Sequence, residues 1–287
     1  MSQRSSENDT EHSAPGTRVP TGVQGHVNRH FDSTASYWDG VYRGADLQGV
    51  IYQQRQAAVL DYVAAAAAPD GARVLEIGCG AGHLTVQLAR RGLRAYAVDA
   101  SQAMVDATAE RVREAGLDER AIVAVADVHT LPFASGHFDL VVAVGVIPWL
   151  HSPQDAVAEM ARVLRPAGQL VVTADNRARL ISFTDPRALL ALTPLKAVYD
   201  KPRKRRGVAT SRLDSPRRID RLLLQAPLCP IERRTVGFGP LSFLGRPIVN
   251  DARGIRINQR LQELADRGVP GLRWTGWHYV VRAEKRA

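Results

Sequence analysis

The segment Val-Leu-Glu-Ile-Gly-Cys-Gly-Ala-Gly-His, Val74 to His83, constrains this chain more than any other stretch. An apolar run ends in three alternate glycines, Gly78, Gly80 and Gly82, and a helix-like stretch with Leu84, Leu88 and Ala89 on one face follows. Glycine reaches positive φ at little cost and lets a ligand approach the backbone where a Cβ would clash. The helix after such a turn presents unpaired N–H groups to polar or anionic ligand atoms. The segment therefore reads as the first strand–turn–helix of a doubly wound sheet, in which ligands sit beyond the strand ends.

The rest of the pattern agrees. Strands are predicted over 73–77, 94–98, 121–126, 139–145 and 169–174, with helices over 81–91, 101–114 and 153–164 between them. Ser101 is placed to cap the second helix and Gly116 to stop it. Such alternation implies a parallel sheet with right-handed crossovers. Beyond it, 177–201 looks helical in parts and 237–249 reads as an apolar loop. A helix over 215–225 with Ile219, Leu222 and Leu223 inward, a strand over 231–238, a helix over 251–267 with the stripe Ile255, Leu261 and Leu264, and a strand over 277–283 complete the reading.

Composition bounds the class. The 287 residues are 45% hydrophobic and 23% charged, enough for a sizeable core. No apolar run of about 18 residues predicts a membrane span. The polar stretch 1–25 lacks the apolar core of a secretory signal and is expected to be a disordered tail. Cys79 and Cys229 are too isolated for a disulfide framework or a metal-ligand spacing, so a reducing cytoplasm is the default location. The net charge is +9, and Lys201 to Arg206 is the densest basic run. A solvated loop accounts for it more simply than nucleic-acid binding, because few aromatics flank it.

Spacing separates two cofactor classes. A dinucleotide fingerprint, G-x-G-x-x-G, would need glycine at position 83, where the chain has His83. The chain instead reads G-x-G-x-G with Glu76 before it. Asp99 ends the second strand, 21 residues after Gly78, where a carboxylate accepts ribose hydroxyls. Asp127 follows the third strand. Phe138 to Ile147 and Arg162 to Leu170 come next. As an ordered set this resembles the class I S-adenosylmethionine (SAM)-dependent methyltransferases, in the small-molecule branch. Singly, Glu76 reads equally as a cap, Asp99 as a turn residue and Asp127 as an N-cap.

The resemblance implies an α/β fold: a Rossmann-like doubly wound seven-stranded sheet, mostly parallel with an antiparallel last strand. Residues 26–70 would form an N-terminal helical lid, 71–176 the SAM-binding core, and 177–287 the substrate-side insertions with the last two strands. It implies SAM as cofactor, with no metal. Glu76, Gly78, Cys79, Gly80, Gly82, Asp99, Ala100, Met104, Asp127, Val128 and Val144 would hold it, with Tyr37 and Arg55 from the lid. Tyr42, Trp149 and Phe238 are candidate acceptor contacts, and His151 is the candidate base. Trp149 stands where the branch often carries histidine, with His151 displaced by two, and Ala167 replaces a customary glycine. The expected reaction is methyl transfer to a small-molecule hydroxyl, that of a secondary metabolite or a lipid- or sugar-linked compound, the acceptor being hydrophobic or anionic. Carbon or nitrogen methylation, an RNA methyltransferase, an NAD(P)-dependent oxidoreductase and a non-catalytic SAM-binding protein are the alternatives.

Overall fold

A computed structural model describes residues 23–180, 211–239, 241–244 and 246–286. Two helices, α1 (Val23–Arg43) and α2 (Leu47–Ala65), precede the sheet. Then β1 (Arg73–Ile77), α3 (His83–Arg90), β2 (Arg94–Asp99), α4 (Gln102–Glu114) and β3 (Ala121–Val125) alternate. They are followed by β4 (Phe138–Ala143), α5 (Pro153–Val163) and β5 (Leu164–Asp175). After the gap come α6 (Pro216–Gln225), β6 (Leu228–Val236), a hairpin of β7 (Ser242–Phe243) and β8 (Arg246–Pro247), α7 (Asp251–Asp266) and β9 (His278–Lys285). The helix α1 starts inside the stretch read as tail; the basic run 201–206 and most of 177–201 lie outside the described residues.

Seven strands form one sheet in the order β3-β2-β1-β4-β5-β9-β6. Neighbours from β3 to β5 pair in parallel, and β9 runs antiparallel to both β5 and β6. The fold is thus the expected Rossmann-like one, with the last strand reversed. Interior strands are buried on both faces, as parallel strands sandwiched by helices must be. Leu75, Val141 and Leu170 enter one core with Met160, Ile219 and Tyr279; Val74, Val142 and Val171 enter the other with Val59, Leu88 and Val280. The strand order reverses direction between β1 and β4, so the C-terminal strand ends open a crevice there.

Local chemistry fixes the ends. Ser101 Oγ accepts from Met104 N at 3.2 Å and Ser215 Oγ from Arg218 N at 3.3 Å, each tying an otherwise orphaned N–H. Two readings need correction. The fifth strand, expected from 169, already starts at Leu164: Phe138 pairs Leu164 and Leu140 pairs Gln169, with Ala167 at φ 56° between them. Helix α7 buries Gly254, Asn258 and Ala265 rather than the apolar stripe: a Cβ at Gly254 would stand 2.8 Å from Leu47 Cδ2, and Asn258 is held by Phe238 N and Gln54. Among the described residues, no helix is long and apolar enough to cross a membrane.

Candidate active site

The glycine turn is held by the sheet. Gly78 N and Cys79 N both donate to Val98 O, at 2.8 and 3.1 Å. Gly78 has φ 71°, and a Cβ there would stand 2.5 Å from Val146 Cγ2. Gly80 has φ 55°, yet a Cβ there would meet nothing within 4 Å. That open space faces a cavity of about 460 Å³, within the range of small-ligand sites.

Glu76, Asp99 and Asp127 all line this cavity, from the ends of β1, β2 and β3. Asp99 accepts from Gly80 N at 3.1 Å through Oδ2 and from Ser101 N at 3.0 Å through Oδ1. Each oxygen keeps a lone pair for a hydroxyl. Burial raises the Asp99 pKa above its ordinary value, against the pull of those backbone donors. Glu76 is 3% exposed, and Thr85 Oγ1 donates to it at 2.6 Å. Burial, reinforced by the charge of Asp99, pushes its pKa up to about 8 despite that hydrogen bond. Asp127 accepts from His129 N and Nδ1 at 2.9 and 2.7 Å, and the ring's hydrogen bond holds its carboxyl low. Cys79, Ala100, Met104, Val128 and Val144 supply the apolar wall.

Helix α1 closes over the turn, kinked at Thr34, where φ is −123°. Ser101 Oγ donates to Asp32 at 2.6 Å. Asp39 accepts from His83 Nε2 at 2.8 Å and from Arg111 at 2.6 Å, while Arg111 also donates to Ala81 O. Burial works to raise the Asp39 pKa, but its hydrogen bonds from Arg111 and His83 outweigh it and hold the carboxylate charged. Burial lowers the pKa of His83, as does Arg111.

Beyond the glycine turn the wall becomes aromatic. Three of the chain's four tryptophans, Trp38, Trp149 and Trp277, line the cavity with Phe31, Tyr42 and Tyr52. Phe31 and Trp149 meet edge-to-face at 5.2 Å. Arg55 is 5% exposed and donates to Tyr42 Oη at 2.6 Å, with its guanidinium 4.5 Å from the Tyr52 ring centre. Its Nε is buried without a partner, and the group lies against Gly145 at the end of β4.

Four predicted residues stand elsewhere. Tyr37 is 54% exposed and meets Gln48, because the cavity-facing side of α1 belongs to Trp38 one residue on. Phe238 is buried away from the cavity, its N–H held by Asn258 Oδ1 at 2.6 Å. His151 is exposed, its ring 4.0 Å from that of His129, because the 3₁₀ turn Ile147–Trp149 sends Trp149 to the cavity instead. Gly82 precedes α3 and packs on Thr108, outside the lining. Sequence reasoning also missed Phe31, Tyr52, Asp175, Arg179 and Trp277, which do line the cavity. Asp175 was within reach: it stands at the end of the fifth strand, as the other acids stand at or near the ends of theirs.

SAM fits what these residues offer. Asp99 presents carboxylate lone pairs suited to two ribose hydroxyls, Glu76 a carboxyl suited to the ammonium, and Arg55 a guanidinium suited to the carboxylate, around an opening at Gly80 that a Cβ would fill.

Comparison with known proteins agrees with this geometry. The model of the methyltransferase domain matches residues 75–172. The malonyl-[acyl-carrier protein] O-methyltransferase of Enterobacter lignolyticus is 32% identical over 197 residues, covering 67% of this chain and 73% of that protein. The ubiquinone biosynthesis O-methyltransferase of Caulobacter vibrioides is 32% identical over 158 residues, covering 53% of this chain and 62% of that one. Other curated relatives are spanned over less of their length, down to 26%. The fold matches magnesium protoporphyrin IX methyltransferase from Synechocystis PCC 6803, solved with bound S-adenosylhomocysteine (SAH), at a TM-score of 0.62 and 16% identity, over 93% of this chain and 100% of that one. With the glycine turn and three strand-end acids around one cavity, these matches establish that the chain belongs to the family of SAM-dependent methyltransferases.

Proposed function

We propose that the protein transfers a methyl group from SAM to a hydroxyl of a small molecule. The observation that carries this is the continuity of one cavity, from the acids at the glycine turn to the aromatic wall bearing Asp175 and Arg179. Cofactor and acceptor can thereby share a single water-poor space. When bound, SAM supplies a methyl group already activated by its sulfonium. The chain's own residues then orient and desolvate. Asp99 and Glu76 fix the adenosyl and amino groups, Arg55 fixes the carboxylate, and Trp38, Trp149 and Phe31 exclude water. Holding the reacting groups in line supplies up to about 7–11 kcal/mol of the barrier reduction.

The names of the Enterobacter and Caulobacter relatives support oxygen as the acceptor atom. His151 is set aside as the base, since its ring lies tilted against that of His129 outside the cavity. The test incubates the protein with methyl-tritiated SAM and a panel of phenols, alcohols, amines and carbon nucleophiles. Methyl ethers are expected as products. Label found only on nitrogen or carbon would overturn the reading.

A further inference from the structure

The cavity also carries a group of side chains that none of the cofactor contacts above uses. Asp175 ends β5 with its side chain 18% exposed. One oxygen, Oδ1, accepts from His278 Nδ1 at 3.1 Å. Among the described residues the other accepts no hydrogen bond. His278 itself is fully buried, and its ring meets that of Tyr52 edge-to-face at 5.4 Å. Nearby, the Arg179 guanidinium lies 4.3 Å from the centre of the Trp277 ring, and its Nε is buried without a partner. Among the described residues Arg179 pairs with no carboxylate, although it feels the charge of Asp175.

We propose that Asp175, Arg179 and Trp277 form the acceptor subsite, that Asp175 takes the acceptor's proton, and that the subsite selects a phenolic hydroxyl. The inference rests on the O-methylation reading above. Asp175 and Arg179 each weigh against one class of charged acceptor. A carboxylate would be brought against Asp175. An ammonium would be brought against Arg179. A neutral hydroxyl meets neither penalty and can donate to the Asp175 oxygen that accepts no hydrogen bond among the described residues. The surrounding rings of Trp277 and Tyr52 suit a flat aromatic body.

The strength of the base separates phenols from aliphatic alcohols. Burial works to raise the Asp175 pKa, but the His278 hydrogen bond and the charges of Arg55 and Arg179 outweigh it, holding the carboxylate below its ordinary range. Burial, aided by Arg55, pushes the His278 pKa down to about 4, so the ring is neutral and donates its Nδ1–H. Both groups are weak bases. A phenol, with a pKa of about 10 like that of tyrosine, is far better matched to them than a hydroxyl as weakly acidic as water. As the phenol oxygen bonds the methyl carbon, the carbon–sulfur electron pair stays on sulfur and the phenol proton passes to the free Asp175 oxygen. The products are the methyl ether and neutral SAH, and the proton leaves to water. Arg179 offsets the negative charge on oxygen until the new bond forms.

The test titrates para-cresol and para-toluate into the SAH-loaded protein by calorimetry, at near-neutral pH. The wild type is expected to prefer the phenol. Asp175→Asn is expected to weaken para-cresol about tenfold and to strengthen para-toluate, inverting the preference, since like-charge repulsion goes with the carboxylate. Arg179→Met is expected to shift the ratio the opposite way, toward the phenol, because the cation that offsets repulsion of the acid is gone. A disturbed fold cannot move two ratios in opposite directions, and SAH affinity within about twofold of wild type checks the binding frame. A wild type that takes para-toluate at least as well as para-cresol, binding of neither included, overturns the proposal. So does a ratio that both variants leave in place. If the ratios move as expected while label from SAM reaches only amines or carbon, the O-methylation reading fails instead.

Discussion

Replacing Gly80 with alanine isolates the face of the turn that meets the cofactor. At φ 55° an alanine costs about 1–2 kcal/mol in the left-handed region. No packing cost is added, because a Cβ meets nothing within 4 Å. The expected loss of stability is therefore about 1–2 kcal/mol, a fall of a few degrees in Tm for a domain this size. The methyl group fills space next to the N–H that donates to Asp99, and a ligand shifted away from it forfeits a charge-assisted hydrogen bond of about 1.5–3 kcal/mol. SAH affinity should fall about 10–100-fold. Gly78→Ala is the control. It carries the same backbone cost, and its Cβ would press on Val146 at 2.5 Å, so overpacking adds about 1–3 kcal/mol. The first variant loses mainly affinity and the second mainly stability. Urea unfolding and calorimetry with SAH measure both. A Gly80→Ala protein that binds SAH like wild type would refute the placement of the ligand against this turn.

Further outcomes follow from the same contacts. Because burial raises Glu76 to about 8, the folded ligand-free protein binds a proton that the unfolded chain releases near pH 4.5. Its contribution to stability is full below pH 4.5 and is lost as pH rises to about 8, by at most about 1.4 kcal/mol per pH unit. Urea unfolding at several pH values should show a decline that Glu76→Gln removes; a difference between the two proteins that does not change with pH would contradict it. Asp39→Ala unties α1 from His83 and Arg111 and should raise the SAH dissociation rate several-fold, read by stopped-flow tryptophan fluorescence; an unchanged rate would show that this contact does not hold the lid. Asn258 is fully buried, accepts from Phe238 N and donates to Gln54. Asn258→Leu leaves that N–H unsatisfied and should cost about 1–3 kcal/mol in denaturant unfolding, and an effect below about 0.5 kcal/mol would contradict the account.

The parts legible in the sequence are those set by short-range chemistry. The Gly78 to Gly82 turn, the Ser101 cap and the acids Glu76, Asp99 and Asp127 each sit where an apolar strand ends, so position along the chain fixes their place in the crevice. Asp175 obeys the same rule but lacked a motif around it. Tyr37 and Trp38 show a second limit. Adjacent residues on a helix point about 100° apart, and only the packing of α1 on α4 decides which faces the ligand. Phe238 and His151 failed for another reason, because irregular segments carry no periodicity to orient a side chain. Arg179 and Trp277 meet from opposite ends of a long separation in sequence, where Asn176 N donates to Trp277 O at 2.8 Å. No local pattern announces such a pair.

A crystal structure of the SAH complex bears most directly on the whole assignment. Both ribose hydroxyls should lie within hydrogen-bond reach of Asp99, the adenine amino group at Asp127, the amino-acid carboxylate at Arg55, and the sulfur should open toward Asp175. Electron density for SAH anywhere other than over Gly80, or in an orientation that turns its sulfur away from the aromatic wall, would contradict it.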